Sequence, residues 1–96
     1  MIGVVAKLKI QDGKQDDFEQ VAKDLMAKVK ANESGCLTYQ LYKAKGSDTE
    51  YIFMEQYSSE DALKSHGQTD YFQAAGPKIA PCLAGAPDIQ YFDIVE

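Results

Sequence analysis

The stretch Tyr51–Tyr57, YIFMEQY, carries large side chains on both sides of an extended chain, with Tyr51, Phe53, Glu55 and Tyr57 on one side and Ile52, Met54 and Gln56 on the other. A strand that is apolar on both faces needs cover on both, and this requirement constrains what the rest of the chain can be. Ser58 is expected to end the strand and, with Asp61 three residues on, resembles the capping box that opens a helix. On that helix Ala62, Leu63 and His66 share one face, so the only histidine of the chain is predicted to point inward, toward the sheet.

The segments on either side supply the cover. Ile2–Ile10 alternates, with Ile2, Val4, Ala6, Leu8 and Ile10 opposed by Lys7 and Lys9, as in a half-buried strand. After the Asp12-Gly13 turn a helix is predicted over residues 14–32, acidic at its start and basic at its end, as the helix dipole favours. Phe18, Val21, Ala22, Leu25, Met26 and Val29 form its apolar stripe, which reads as core. A second strand is predicted over residues 36–44, and the Gly46-Ser47-Asp48-Thr49 turn makes it the hairpin partner of the Tyr51 strand. Thr69 is placed to cap a further helix running from Asp70 into the mid-eighties, segmented by Pro77 and Pro81. A last strand is predicted over residues 88–95, again apolar on both faces.

Ninety-six residues make one domain, 1–96, only modestly stable alone. The net charge is −5 and all ten basic residues are lysine. Nucleic-acid binders need a basic footprint and use arginine for paired contacts to phosphate and guanine, so a nucleic-acid partner is not expected. No apolar run approaches the ~20 residues that span a bilayer, and the amino terminus, interrupted by Lys7 and Lys9, does not read as a signal peptide. No membrane association and a cytoplasmic location are expected. Cys36 and Cys82 have no zinc-site spacing and read as two small buried hydrophobes in a reducing compartment.

The order β-α-β-β-α-α-β matches the split βαβ arrangement of an α+β, ferredoxin-like sandwich: a four-stranded antiparallel sheet with its helices on one face. The other face would then lie bare, with more apolar surface than a lone soluble chain tolerates. A second copy packed sheet against sheet is the simplest cover, since burying several hundred Å² of apolar surface supplies on the order of 10 kcal/mol before association costs. A homodimer through the sheet faces is therefore expected.

Two segments carry a family resemblance. Asn32-Glu33-Ser34-Gly35-Cys36-Leu37-Thr38-Tyr39-Gln40-Leu41-Tyr42 resembles the "EPGC-x-x-Y-x-L-Y" segment of the antibiotic biosynthesis monooxygenase (ABM) domains. Glu55–His66 followed by Tyr71-Phe72 resembles their "E-x-W-x-S-x-x-A-L-x-x-H-x-x-x-x-H-F" segment. Tyr57 stands where many members have tryptophan, Ser34 where they have proline, and Tyr71 where they often have a second histidine. The resemblance implies a dimeric α+β barrel and places the chain near quinol and polyketide-aromatic monooxygenases that work without metal, flavin or haem. A haem-degrading branch is similar too, but its axial histidine aligns with Gly76, which cannot ligate iron, so no cofactor is expected.

What the resemblance implies is a cofactor-independent oxidation of a small hydroquinone, phenolic or polycyclic aromatic compound by O₂, the substrate acting as its own reductant. Such chemistry needs an apolar cavity, hydrogen bonds to ring oxygens and a proton acceptor. His66 is the natural acceptor, and Tyr51, Phe53, Tyr57, Tyr71 and Phe72 are candidates for the cavity wall. Glu55 is either a partner of His66 or a structural carboxylate. The structural alternatives are a histidine bonded to a backbone carbonyl and aromatics that are simply core. Two other functions use the same residues: a proton-transfer enzyme, such as an isomerase, acting on a small carbonyl compound, and a non-catalytic dimer that binds a hydrophobic small molecule.

Overall fold

The computed structural model describes residues 1–96 and contains β1 (Ile2–Lys9), α1 (Gln15–Asn32), β2 (Cys36–Lys43), β3 (Glu50–Tyr57), α2 (Glu60–Gly67), α3 (Asp70–Ile79), a 3₁₀ turn (Ala80–Cys82) and β4 (Asp88–Asp93). The four strands form one antiparallel sheet in the order β2-β3-β1-β4. β1 and β2, joined through α1, lie parallel with β3 inserted between them, which is the split βαβ topology expected from the element order. No helix is long and apolar enough to cross a membrane.

The register decides what faces the helices. Val4, Ala6 and Leu8 of β1 stand opposite Glu55, Phe53 and Tyr51 of β3, while Tyr39 and Leu41 of β2 stand opposite Glu55 and Phe53. Because side chains alternate, all of these point to the helical side. The core forms where they meet Phe18, Ala22, Leu25 and Val29, the buried stripe of α1; Val21 and Met26 pack on its margin. Each large apolar side chain buried there contributes roughly 1.5–3 kcal/mol. Phe18 anchors one end, its ring edge against Tyr51 at 4.9 Å between centroids.

Local chemistry moves several predicted boundaries. The cap of α2 is Ser59, not Ser58: Ser59 Oγ accepts from Ala62 N at 3.1 Å. Ser58 instead carries the pairing one step past β3, its backbone N–H donating to the Gly35 carbonyl at 2.8 Å. Asp61 therefore falls one position short of the capping-box carboxylate. Thr69 does cap α3, accepting from Phe72 N. That helix tolerates Pro77 near its end but stops at Ile79, and Pro81 sits in the 3₁₀ turn, so no helix reaches the mid-eighties. β2 ends at Lys43 and β4 at Asp93, and Ile94 and Val95 lie beyond the last strand.

The cover over the sheet is uneven. On the helical side Ile89 and Tyr91 of β4, opposite Ala6 and Val4, stay exposed, Tyr91 by 64%. On the far side Tyr42, Met54 and Phe92 are exposed and Val5 and Ile52 half-buried, with Lys7, Gln40 and Gln56 between them. The helices thus pack on the β2–β3–β1 part of the sheet and leave β4 as an open wall.

Candidate active site

Between that open wall and the helices lies a cleft of about 910 Å³. Its lining is mostly apolar, with Val4, Ala6 and Phe53 as floor, Leu63, Phe72 and Ala75 from the helices, and Ile89 and Tyr91 from β4. Cavities of this size with few polar groups are the usual form of small-molecule sites. Three nearly buried polar side chains enter it: Tyr39 from β2, Glu55 from β3 and His66 from α2.

His66 is 4% exposed, and its ring lies among Tyr39, Tyr57 and Phe72, at 5.1, 5.5 and 4.6 Å between centroids. The cap at Ser59 sets the phase of α2 that turns it inward. Nδ1 meets Glu33 Oε1 at 3.0 Å and Oε2 at 3.1 Å. Glu33 is the first residue past α1, in extended conformation, and the Tyr71 hydroxyl donates to its Oε2. In the neutral imidazole, a carboxylate accepting at Nδ1 places the ring proton on that nitrogen and leaves Nε2 with its lone pair. Nε2 has no partner in the protein, yet every buried polar side-chain atom has one. Nε2 is therefore an accessible atom, on a residue of the cleft wall.

The same reasoning applies to two more atoms. The Tyr39 hydroxyl and Glu55 Oε2 have no hydrogen-bond partner and are not among the sealed groups, so both are open. Glu55 Oε1 accepts from the Tyr57 hydroxyl at 2.6 Å. Burial raises the Glu55 carboxyl above its ordinary range, against the opposing effects of the Tyr57 hydrogen bond and the His66 charge. Tyr39 and Tyr57 are pushed up strongly, by burial first and then by Glu55, so both remain protonated donors. The cleft thus offers one base, one phenolic donor and one carboxyl on an apolar floor. No three histidine, cysteine, aspartate or glutamate side chains converge as a metal-binding set, and Gly76 lies in the cleft wall.

Of the residues proposed from sequence, His66, Phe53, Glu55 and Phe72 lie in the cleft wall and Tyr51, Tyr57 and Tyr71 do not. Tyr51 shares a face with Phe53, but it sits at the Phe18 end of the core and its hydroxyl is drawn to Glu19 at 2.6 Å. Tyr57 is fully buried behind His66, its hydroxyl taken by Glu55. Tyr71 turns outward from α3 to Glu33. Glu33 and Tyr39 are the two site groups not singled out from sequence. Both stand in the Asn32–Tyr42 segment, whose glutamate and first tyrosine were the available signal.

The chain is an α+β domain with a split βαβ sheet and an apolar cleft, the usual form of a small-molecule site, entered by a carboxylate-paired histidine. The chain belongs to the antibiotic biosynthesis monooxygenase family, whose sequence pattern matches residues 1–78. It is 58% identical to a Caulobacter crescentus CB15 protein solved as "a putative antibiotic biosynthesis monooxygenase", with a TM-score of 0.96 over 99% of this chain and 90% of that one. It is 27% identical, over the full length of both, to the Bacillus subtilis (strain 168) protein named "Putative monooxygenase YcnE". A conserved Methanosarcina mazei Go1 protein of solved structure is 26% identical, with a TM-score of 0.89 over 95% of this chain and 89% of that one.

Proposed function

We propose that the protein is a cofactor-independent monooxygenase that oxidises a small hydroquinone or related phenolic aromatic compound with O₂. The observation that carries this reading is the accessible Nε2 of a carboxylate-paired histidine in an apolar cleft. The ring lies on the Phe53 and Ala6 floor, its oxygens oriented by the Tyr39 hydroxyl and the Glu55 carboxyl. His66 Nε2 takes a phenolic proton, and the electron-rich anion passes an electron to O₂. Recombination forms a ring C–O bond; loss of water leaves a hydroxyquinone, so that hydroquinone plus O₂ gives hydroxyquinone plus water. Gly76 offers no ligand atom, which removes the axial side chain a haem would need. The exposed Tyr42, Met54 and Phe92 on the far side of the sheet support a homodimer joined face to face.

An oxygen electrode tests the reaction. With a reduced quinol, O₂ uptake should exceed autoxidation, and His66→Gln should remove the excess; equal rates with and without protein would remove the enzymatic claim. A second reading, proton transfer on a small carbonyl compound, is favoured by the same Glu33–His66 pair, which is not itself tied to oxygen. Turnover that persists under strict anaerobiosis would select it.

A further inference from the structure

Besides the Tyr39 phenol, two buried ionisable side chains line the cleft, Glu55 at 9% exposure and His66 at 4%; Glu60, Lys64 and Asp93, also in its wall, are exposed. The two enter from different layers, His66 from α2 and Glu55 from the sheet, where Val4 and Tyr39 stand opposite it on the flanking strands. Two tyrosines touch both neighbourhoods: the Tyr57 ring lies 5.5 Å from the His66 ring while its hydroxyl donates to Glu55 Oε1, and the Tyr39 ring lies 5.1 Å from His66. Tyr57 thus occupies one carboxyl oxygen and leaves Oε2, the one open to the cleft, to carry a proton. The groups facing Glu55 are the Tyr57 and Tyr39 hydroxyls, the Cys36 thiol, His66 and Glu33; burial raises its carboxyl, Tyr57 and His66 oppose the rise and Glu33 adds to it. A carboxyl moved toward the working pH both takes and gives protons efficiently. Tyr39, pushed up strongly by burial, keeps its proton and serves only as a hydrogen-bond donor.

We propose that Glu55 is a second catalytic residue, which takes the second phenolic proton of the hydroquinone and delivers it to the oxygen that leaves as water. This deepens the reading above and rests on it. His66 Nε2 takes the first phenolic proton; after electron transfer and C–O bond formation at a ring carbon that bears hydrogen, it returns that proton to the terminal peroxide oxygen. The result is a ring hydroperoxide with His66 neutral again. Loss of water from it needs a base at the ring C–H and an acid at the leaving oxygen at the same moment, and one imidazole cannot be both. Nε2 takes the ring hydrogen as a proton, the C–H electron pair becomes the new C=O bond and the O–O bond breaks. Glu55 Oε2 passes the proton of the remaining phenol to the departing hydroxide, which leaves as water. The ring is then a hydroxyquinone anion, and His66 returns its proton to the new oxygen. Both side chains end as they began, hydroquinone plus O₂ has become hydroxyquinone plus water, and no proton has crossed the walls of the cleft.

Hydroquinone in an oxygen electrode, with the product read by chromatography and peroxide by added catalase, separates the two halves of the reaction. In the wild type, O₂ uptake above autoxidation should be matched by hydroxyquinone, and catalase should return no O₂. Glu55→Gln keeps an oxygen for the Tyr57 hydroxyl and leaves His66 in place, so O₂ uptake should persist while hydroxyquinone forms about 10²-fold more slowly, the lower range for removal of a positioned acid-base group. The hydroperoxide then breaks at its C–O bond instead, so that hydroquinone plus O₂ gives quinone plus H₂O₂, and catalase returns O₂. Glu55→Asp, which keeps a carboxyl, should fall between the two. If Glu55→Gln fails to fold, Glu55→Met combined with Tyr57→Phe replaces both partners of the buried hydrogen bond by apolar groups of similar shape and should release peroxide in the same way. A folded variant without the carboxyl that makes hydroxyquinone as fast as the wild type overturns the assignment. So does an equal loss of O₂ uptake and hydroxyquinone, the outcome of a merely structural role. Absence of O₂ uptake by the wild type removes the oxygenase reading and this inference with it, whereas either of the preceding results, with the wild type active, removes this inference alone.

Discussion

Gly35 stands between Glu33 and Cys36 at the base of α2, and replacing it by alanine tests how tightly that helix is held. A Cβ there would lie 2.7 Å from the Ala62 Cβ, 3.3 Å from Ser58 Oγ and 3.8 Å from the Ala62 Cα. Carbon atoms pack at about 3.5–4.0 Å, so α2 has to retreat by roughly 1 Å. Overpacking of this kind costs ~1–3 kcal/mol. The same shift stretches the 3.0 Å Glu33–His66 contact beyond hydrogen-bond reach, and a bond to a charged group contributes a further ~1.5–3 kcal/mol. Against this stands the reduced freedom of the unfolded chain, worth only ~0.4–1 kcal/mol. Gly35 is not among the positive-φ glycines, so no backbone strain enters, and the sign is set by the clash. A net loss of about 2–4 kcal/mol should lower the melting temperature by roughly 10–25 °C in a domain of this size. Thermal unfolding at fixed protein concentration measures it. Ala62→Gly in the Gly35→Ala background should recover most of the loss, with the positive coupling expected of touching residues. Gly67→Ala, whose Cβ would meet nothing within 4 Å, is the control and should be neutral or mildly stabilising. A Gly35→Ala protein that melts with the wild type, or a double variant that recovers nothing, would show that α2 is not seated as described.

Three further outcomes follow from the buried polar groups. Tyr57→Phe leaves Glu55 Oε1 without its donor in the interior, so urea unfolding should show a loss of ~1–3 kcal/mol; an unchanged midpoint would mean that water replaces the hydroxyl. Because the folded Glu55 carboxyl is held above its ordinary 4.5, its contribution is full below that pH and is lost as pH rises through the higher folded value. Glu55→Gln should therefore match the wild type near pH 4 and melt higher at pH 7 to 8, whereas parallel melting curves from acid to neutral would exclude the burial penalty. The Cys36 thiol is pushed up from 9.0 to about 11 by burial first, then by Glu33 and Glu55, so at pH 8 its thiolate fraction is about 100-fold below that of a free thiol. Iodoacetamide labelling followed by mass spectrometry should be slower in proportion, and labelling at the free-thiol rate would contradict the placement.

What could be read from residue order was the alternation and the helical stripe, because burial on one face imposes both. The stripe from Phe18 to Val29, the two-sided Tyr51 strand and the inward His66 all follow from periodicity, and they were enough for the sheet and its helical layer. What could not be read was where a hydroxyl goes once its ring is placed. Tyr51, Tyr57 and Tyr71 are alike in sequence terms, yet each is claimed by a different carboxylate, Glu19, Glu55 or Glu33, brought close by another element. Glu33 escaped notice for the same reason: it is 33 residues from His66, and only the seat of α2 against the end of α1 joins them. The cap at Ser59 rather than Ser58 goes with another contact between elements, the Ser58 N–H bond to the Gly35 carbonyl.

β4 keeps Ile89 and Tyr91 exposed along one jaw of the cleft, while Tyr39, Glu55 and His66 belong to β2, β3 and α2. In the proposed reaction, selectivity and reactivity are therefore housed on separate pieces of backbone. Under that proposal, substitutions along the jaw reshape which guest is admitted with little effect on the packing around Phe18 or on the His66–Glu33 pair, so a lineage built on this scaffold is free to change its diet while keeping its chemistry.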